Sequence, residues 1–216
     1  MSMRVKDFFC AVLLVASAAV LAGLMPLPAQ AQASQIPQAA QPYRAELVRN
    51  ARAIWGLNAP VATFAAQVHQ ESAWKPSAIS RVGAQGLAQF MPGTSQWIAG
   101  LHPALAANEP FNPSWALRAL VQYDAWIHVR VAAATPCDRM AMVLSGYNGG
   151  LGWVQRDKSL AARQGLDSMT WWTAVETVNA GRSAANWREN RDYPRRILFR
   201  LEPVYVAAGW GPGSCP

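Results

Sequence analysis

Residues 60–74 read Pro60-Val61-Ala62-Thr63-Phe64-Ala65-Ala66-Gln67-Val68-His69-Gln70-Glu71-Ser72-Ala73-Trp74, with Pro76 two positions on. Proline at the first helical position and proline just past the end bracket a helix, because proline fixes φ but has no N–H to give. The spacing predicts a helix from Val61 to about Trp74. At 100° per residue Val61, Phe64, Ala65 and Val68 fall on one apolar stripe, and Glu71 lies at its edge. A carboxylate there is partly desolvated, and it sits in the helix's last turn, where the dipole disfavours negative charge. Both effects push it towards the protonated form that a general acid needs. The same position also suits a glutamate whose side chain bends to solvent.

Outward from this helix the chain reads as helices with almost no strands. Tyr43 to Trp55 spaces Leu47, Ala51 and Ile54 helically, and Gly56 stops it. Residues 75–93 hold several Gly and Pro and read mainly as loop, with a helix near Thr94–Ala99 after them. Asn112-Pro113 is a cap followed by a first-turn proline, opening a long helix to about Ala133. Asp138 is expected to cap the next, which carries Met140, Val143, Leu144 and Tyr147 and is interrupted at Gly149-Gly150. Shorter helical stretches follow near Leu151–Arg156 and Thr170–Val178, and Pro194 is expected to start a last helix bearing Ile197, Leu198, Leu201 and Val204. No repeat of 20–50 residues and no alternating strand pattern stands out. The expected fold class is a single all-α domain.

The 216 residues suit one such domain with a real core. A net charge of +7 and a pI near 9.8 point to an anionic partner or substrate. With 52% hydrophobic and 14% charged residues, the composition excludes a disordered acidic segment. No run of five Lys or Arg exists, so a nucleic-acid arm is not expected. Arg4 and Lys6, the apolar run Phe8–Leu24 and Ala29-Gln30-Ala31 have the order of a secretory signal peptide. Cleavage is expected after Ala31 or Ala33, with an uncleaved membrane anchor as the alternative. Residues 32–42 then read as a linker and 43–216 as the domain. Loss of Arg4, Lys6 and Asp7 takes the net charge from +7 to +6. Export leaves Cys137 and Cys215, which are expected to pair and tie the C-terminal tail to the domain. The expected location is the periplasm or the exterior.

Four motifs follow one another. They are Glu71-Ser72; Gly86-Leu87-Ala88-Gln89 within Ser80–Thr94; Ser145-Gly146-Tyr147-Asn148-Gly149-Gly150; and Glu189-Asn190-Arg191-Asp192-Tyr193-Pro194. In this order they resemble the soluble lytic transglycosylase family, whose catalytic domain is lysozyme-like, and they cover roughly residues 60–200. The resemblance implies that Glu71 is the sole catalytic acid/base and that Tyr193 holds it, so these two form the catalytic pair. It assigns Ser72, Gln89, Tyr147 and Asn148 to the glycan cleft. It implies cleavage of peptidoglycan between N-acetylmuramic acid and N-acetylglucosamine with closure to a 1,6-anhydro ring, without cofactor and without a nucleophilic carboxylate. Peptidoglycan strands are the implied partner, the expected state is a monomer, and association with an envelope-spanning machine is left open. Ala88 stands where the family has methionine, removing an apolar sugar contact; Ser145, Asn190 and Pro194 also depart from the pattern.

A lysozyme-type hydrolase of the same bond would need two carboxylates. Glu189 and Asp192 are then the candidates, although both suit ion-pair roles beside Arg188, Arg191 and Arg195. A wall-binding module without chemistry is the alternative from another class. His69, His102 and His128 lack ligand spacing, so no metal is expected. Trp74, Trp97, Trp153, Trp171 and Trp172 have faces that suit sugar rings, but at least half of them are expected in the core.

Overall fold

The computed structural model describes residues 35–215. A 3-10 turn (Gln38–Tyr43) leads into α1 (Arg44–Trp55), α2 (Val61–Ser72), α3 (Pro92–Leu101), α4 (Pro113–His128), α5 (Pro136–Gly149), α6 (Leu151–Arg163), α7 (Ala184–Arg196) and α8 (Glu202–Ala207). A short 3-10 turn (Val175–Thr177) precedes α7, and one π turn (Ile197–Leu201) joins α7 to α8. Among the described residues the only bridges of β type are isolated ones, Ile79–Gln85 and Gln85–Phe90. The all-α expectation holds. The expected signal peptide (1–31), Cys10 and residues 32–34 of the expected linker lie outside the described residues. No helix among those described is long and apolar enough to cross a membrane.

α2 is the axis of the fold. The sequence suggests one buried stripe, yet every residue from Val61 to Val68 is buried. The small side chains Ala62, Ala65 and Ala66 let α1, α8 and the π turn close on it from several sides. The helix ends at Ser72, two residues earlier than expected, because Ala73 and Trp74 both adopt left-handed φ (50° and 64°). Such backbone costs about 1–2 kcal/mol per non-glycine residue. What holds it is the Trp74 ring, which is fully buried, stacks on Tyr43 and donates its Nε1–H to the Tyr205 hydroxyl at 2.7 Å. Burying a side chain of this size outweighs that strain.

Several local expectations are met and others are corrected. Asn112 caps α4 as read, its Oδ1 accepting from Ser114 N and Trp115 N, but α4 ends at His128. The cap of α5 is Thr135, with Pro136 in the first turn. Asp138 instead braces that cap, its N–H donating to Thr135 Oγ1 (3.0 Å) while its carboxylate accepts from the same hydroxyl (2.6 Å). Pro194 does not start a helix. It lies inside α7, which Ser183 caps through Asn186 N, and the backbone widens into the π turn three residues later. Residues 38–43, most of which read as linker, form the first turn, with Ala40 fully buried. Cys137 and Cys215 form the expected disulfide, joining the first turn of α5 to the tail after α8.

Candidate active site

Glu71 projects from the last turn of α2 into a cleft of about 540 Å³. Val82, Phe90, Met91, Tyr123 and Tyr147 supply apolar wall, and Gln89, Asn148 and Glu189 supply polar groups. Glu71 is half-buried: it opens onto the cleft while protein crowds the rest of it. Its Oε1 accepts a short hydrogen bond from the hydroxyl of Tyr193, a buried residue of α7. Burial pushes the Glu71 carboxyl up to about 8; the Tyr193 hydrogen bond opposes that rise, and the nearby Glu189 charge adds to it. The dominant cause is the desolvation expected from the stripe.

Of the other expected residues, Gln89, Tyr147 and Asn148 line the cleft, and Ser72 stands behind Glu71. Three of these four residues spend their polar groups on the protein. Ser72 Oγ donates to Leu87 O at 2.9 Å, Tyr147 Oη to Ala88 O at 2.7 Å, and Gln89 Nε2 to Gly86 O at 2.8 Å and Ala78 O at 3.2 Å. Three consecutive loop carbonyls are therefore each held by a motif side chain. The loop itself demands glycine at 86: φ is +75°, and a Cβ there would lie 1.8 Å from Pro110 O. The motif thus builds the cleft wall, and Tyr147 presents its ring rather than its hydroxyl. Ala88 is fully buried, and the apolar surface beside it in the cleft belongs chiefly to Met91 and Tyr147.

The remaining departures from the motif are coupled in space. Ser145 and Asn190 are both buried; Ser145 Oγ donates to Asn190 Oδ1 at 2.7 Å and Asn190 Nδ2 donates to Ser145 O at 2.9 Å. The same Nδ2 reaches Asn148 Oδ1 at 3.1 Å, which orients Asn148 at the cleft rim.

Two residues that sequence reading missed lie behind the glutamate. Asp124 of α4 is fully buried, and Gln67, one turn before Glu71 on α2, approaches its Oδ1 at 3.5 Å. Burial holds the Asp124 carboxyl well above its usual range, with Glu71 nearby adding to the effect. The signal was present, since Asp124 is the single acid in the apolar run Val121–Ile127. Asp192 is exposed and does not line the cleft, whereas Glu189 does. Trp74 and Trp171 are core; Trp97 is 40% exposed and stacks edge-on against Trp126 on a shelf that meets the cleft at Thr94 and Tyr123.

A sequence profile described as "Transglycosylase SLT domain" matches residues 48–170, which include Glu71, Ser72, Gln89, Tyr147 and Asn148. The chain belongs to this family. As an SLT domain it is similar to proteins named membrane-bound lytic murein transglycosylase F: that of Alcanivorax borkumensis (32% identity over 109 residues, 50% of this chain and 22% of that protein), that of Maricaulis maris (30% over 116 residues, 53% and 24%) and that of Pseudomonas fluorescens (26% over 146 residues, 67% and 28%). The matched part of the SLT domain thus spans about a quarter of the length of these relatives.

Proposed function

We propose that this chain is a peptidoglycan lytic transglycosylase that cleaves the β-1,4 bond between N-acetylmuramic acid and N-acetylglucosamine and leaves 1,6-anhydro-muramyl ends. The observation that carries the reading is Glu71: a cleft-facing carboxyl held up to about 8 and oriented by one phenol. At neutral pH it is protonated and able to give its proton to the glycosidic oxygen as the C1–O bond breaks. The carboxylate left behind takes the proton of the muramyl C6 hydroxyl as that oxygen bonds C1. Glu71 is then protonated again, and no water is consumed. Tyr193 positions the carboxyl and, by donating to it, steadies its ionised form between the two transfers. The names of the relatives support a murein substrate, and the N-terminal segment supports action outside the cytoplasm.

Hydrolysis would require a second carboxylate to act on water or on the sugar. Asp124 is buried and favours its neutral form, and Asp192 lies off the cleft. That leaves Glu189, an exposed rim residue. The test is to digest purified peptidoglycan with the full chain and weigh the released muropeptides. Products lighter by one water, absent with Glu71→Gln, are expected. Full-mass reducing ends would make this a hydrolase, and persistence of cleavage in Glu71→Gln would remove Glu71 from the mechanism.

A further inference from the structure

Glu71 leaves α2 between two residues that the fold fastens to one hydroxyl. Two positions before it, His69 sets its ring Nδ1 3.2 Å from Tyr205 Oη. Three positions after it, Trp74 donates its Nε1–H to the same oxygen at 2.7 Å. Tyr205 belongs to α8, is fully buried and lies beyond the residues matched by the family profile.

The direction of these hydrogen bonds follows from which groups can donate. An indole N–H only donates, so the phenol oxygen accepts from Trp74. Its own proton is then left for His69, since the hydroxyl has no other partner among the described residues. Nδ1 must therefore carry no hydrogen, and the imidazole is neutral with its proton on Nε2. The surroundings keep it so. Burial, and after it the Arg196 guanidinium, hold the imidazole below its usual range, against the helix end, which alone would favour a cation. Burial also raises the Tyr205 phenol, which keeps its proton. The other charged groups on the elements packed here face elsewhere: Glu71 the cleft, Glu202 Thr63 and the tail, Arg44 the Gly209 carbonyl. Arg49, Arg52 and Arg200 are exposed, and neither Glu46 nor any other carboxylate pairs with His69 among the described residues.

His69 holds the end of α2 twice. Its backbone carbonyl accepts from Ala73 N–H at 2.9 Å, and its ring, through Tyr205, holds Trp74. The backbone so held is the left-handed pair Ala73 and Trp74, and such backbone persists only where its neighbours over-determine it. Protonating His69 puts a donor where the phenol has its acceptor. Two N–H groups then converge on one oxygen, and the buried phenol proton is left unpaired. The anchor of the strained turn weakens, and with it the fixed exit of Glu71 from the helix.

We infer that His69 and Tyr205 are positioning residues for Glu71, forming a staple across the end of α2 that is closed while the imidazole is neutral and opens on acidification. The inference rests on the proposed role of Glu71. A general acid that starts protonated loses activity only on the alkaline side, so the staple adds an acid limb that Glu71 alone does not produce.

Two measurements test it. In the full chain carrying Glu71→Gln, NMR titration of the His69 ring protons, assigned through the backbone, should give a midpoint below 6.5. A midpoint at or above 6.5 overturns the staple. The second is the rate of soluble product release from purified peptidoglycan, which for the unsubstituted chain should fall from pH 7 to pH 5. His69→Asn offers an oxygen at the Nδ1 position that takes no proton, so its rate should stay within about twofold over that range. Tyr205→Phe should lower kcat about tenfold at pH 7 with KM little changed, as expected for a displaced catalytic group. An acid limb in His69→Asn as steep as the parent's, or a Tyr205→Phe that keeps kcat, overturns the inference. Should either variant fail to fold, the titration still decides. A midpoint below 6.5 in a chain whose unsubstituted form releases no product sinks the proposed reaction alone; normal release with a midpoint at or above 6.5 sinks only the staple.

Discussion

α2 carries or receives a glutamate near each end, one half-buried and one buried, and the two are treated oppositely. Near its N-terminal end Glu202 of α8, 2% exposed, accepts from Thr63 Oγ1 and from the backbone N–H of Ser214 and Cys215. Near its C-terminal end Glu71 accepts from a single phenol and faces a cleft. Burial raises the carboxyl of both. At Glu202 three donors oppose the rise, and no face is left for a ligand. At Glu71 one donor opposes it, and the carboxyl keeps an open side. Donor count and an open side, more than burial, separate a carboxylate that fastens a tail from one able to pass a proton.

The sharpest way to break this contrast is to remove each carboxylate. Glu71→Gln should lower peptidoglycan clearing by about 10³-fold or more, the range expected for loss of a general acid, without loss of stability. Because the folded carboxyl titrates near 8 and the unfolded one near 4.5, the folded state holds the extra proton between these values. Stability of the parent chain should therefore fall as pH rises from about 4.5 to about 8, and Glu71→Gln should be free of that fall. Melting temperatures at pH 4.5 and 8.5 decide it. If Glu71→Gln destabilises the fold at pH 8.5, the residue is a structural one like Glu202.

At the other end the expected effects are on stability. Cys215→Ser opens a disulfide spanning 78 residues, for which chain entropy gives about 4 kcal/mol; urea unfolding should show a loss of that order. Glu202→Gln, which offers an amide where three donors converge, should cost about 2 kcal/mol, with the rate of the folded enzyme at 20 °C within twofold of the parent. A large fall in rate in either variant without unfolding would mean the two ends are coupled through α2. The smallest effect sharpens the contrast at Glu71 itself. Tyr193→Phe deletes the one donor that lowers the Glu71 pKa, so the alkaline limb of the pH–rate profile, expected near 8, should move upward while the rate falls about tenfold. A fall in rate with an unmoved limb would make Tyr193 a packing residue only.

Sequence alone carried the helix of Glu71, its desolvation, the Asn112 cap and the Cys137–Cys215 pair, because each depends on local periodicity, local caps or simple elimination among cysteines. It misjudged what depends on which partner a side chain takes. Asp138 reads as a cap in isolation, but Thr135 three residues earlier takes the role and turns Asp138 into its reciprocal partner. Pro194 reads as a helix start only if Ser183, eleven residues upstream, is overlooked. That Ser72 and Gln89 also brace the loop was not legible, because their partners are backbone carbonyls, which no residue type announces. The sharing of Asp157 by Arg182 and Arg191 was equally invisible, since the three residues are brought together only by the fold.

The lengths of chain that separate these partners set an order of events. Glu71 waits for Tyr193, 122 positions later, and Thr63 waits for Glu202, 139 positions later. Contacts so distant along the chain form slowly and late. A nascent polypeptide that has emerged only to residue 170 already holds every family-profile residue, yet it has neither the phenol that orients the acid nor the tail that clamps the central helix. Competence thus arrives only with the segment beyond residue 170, so the acid is made well before it is oriented.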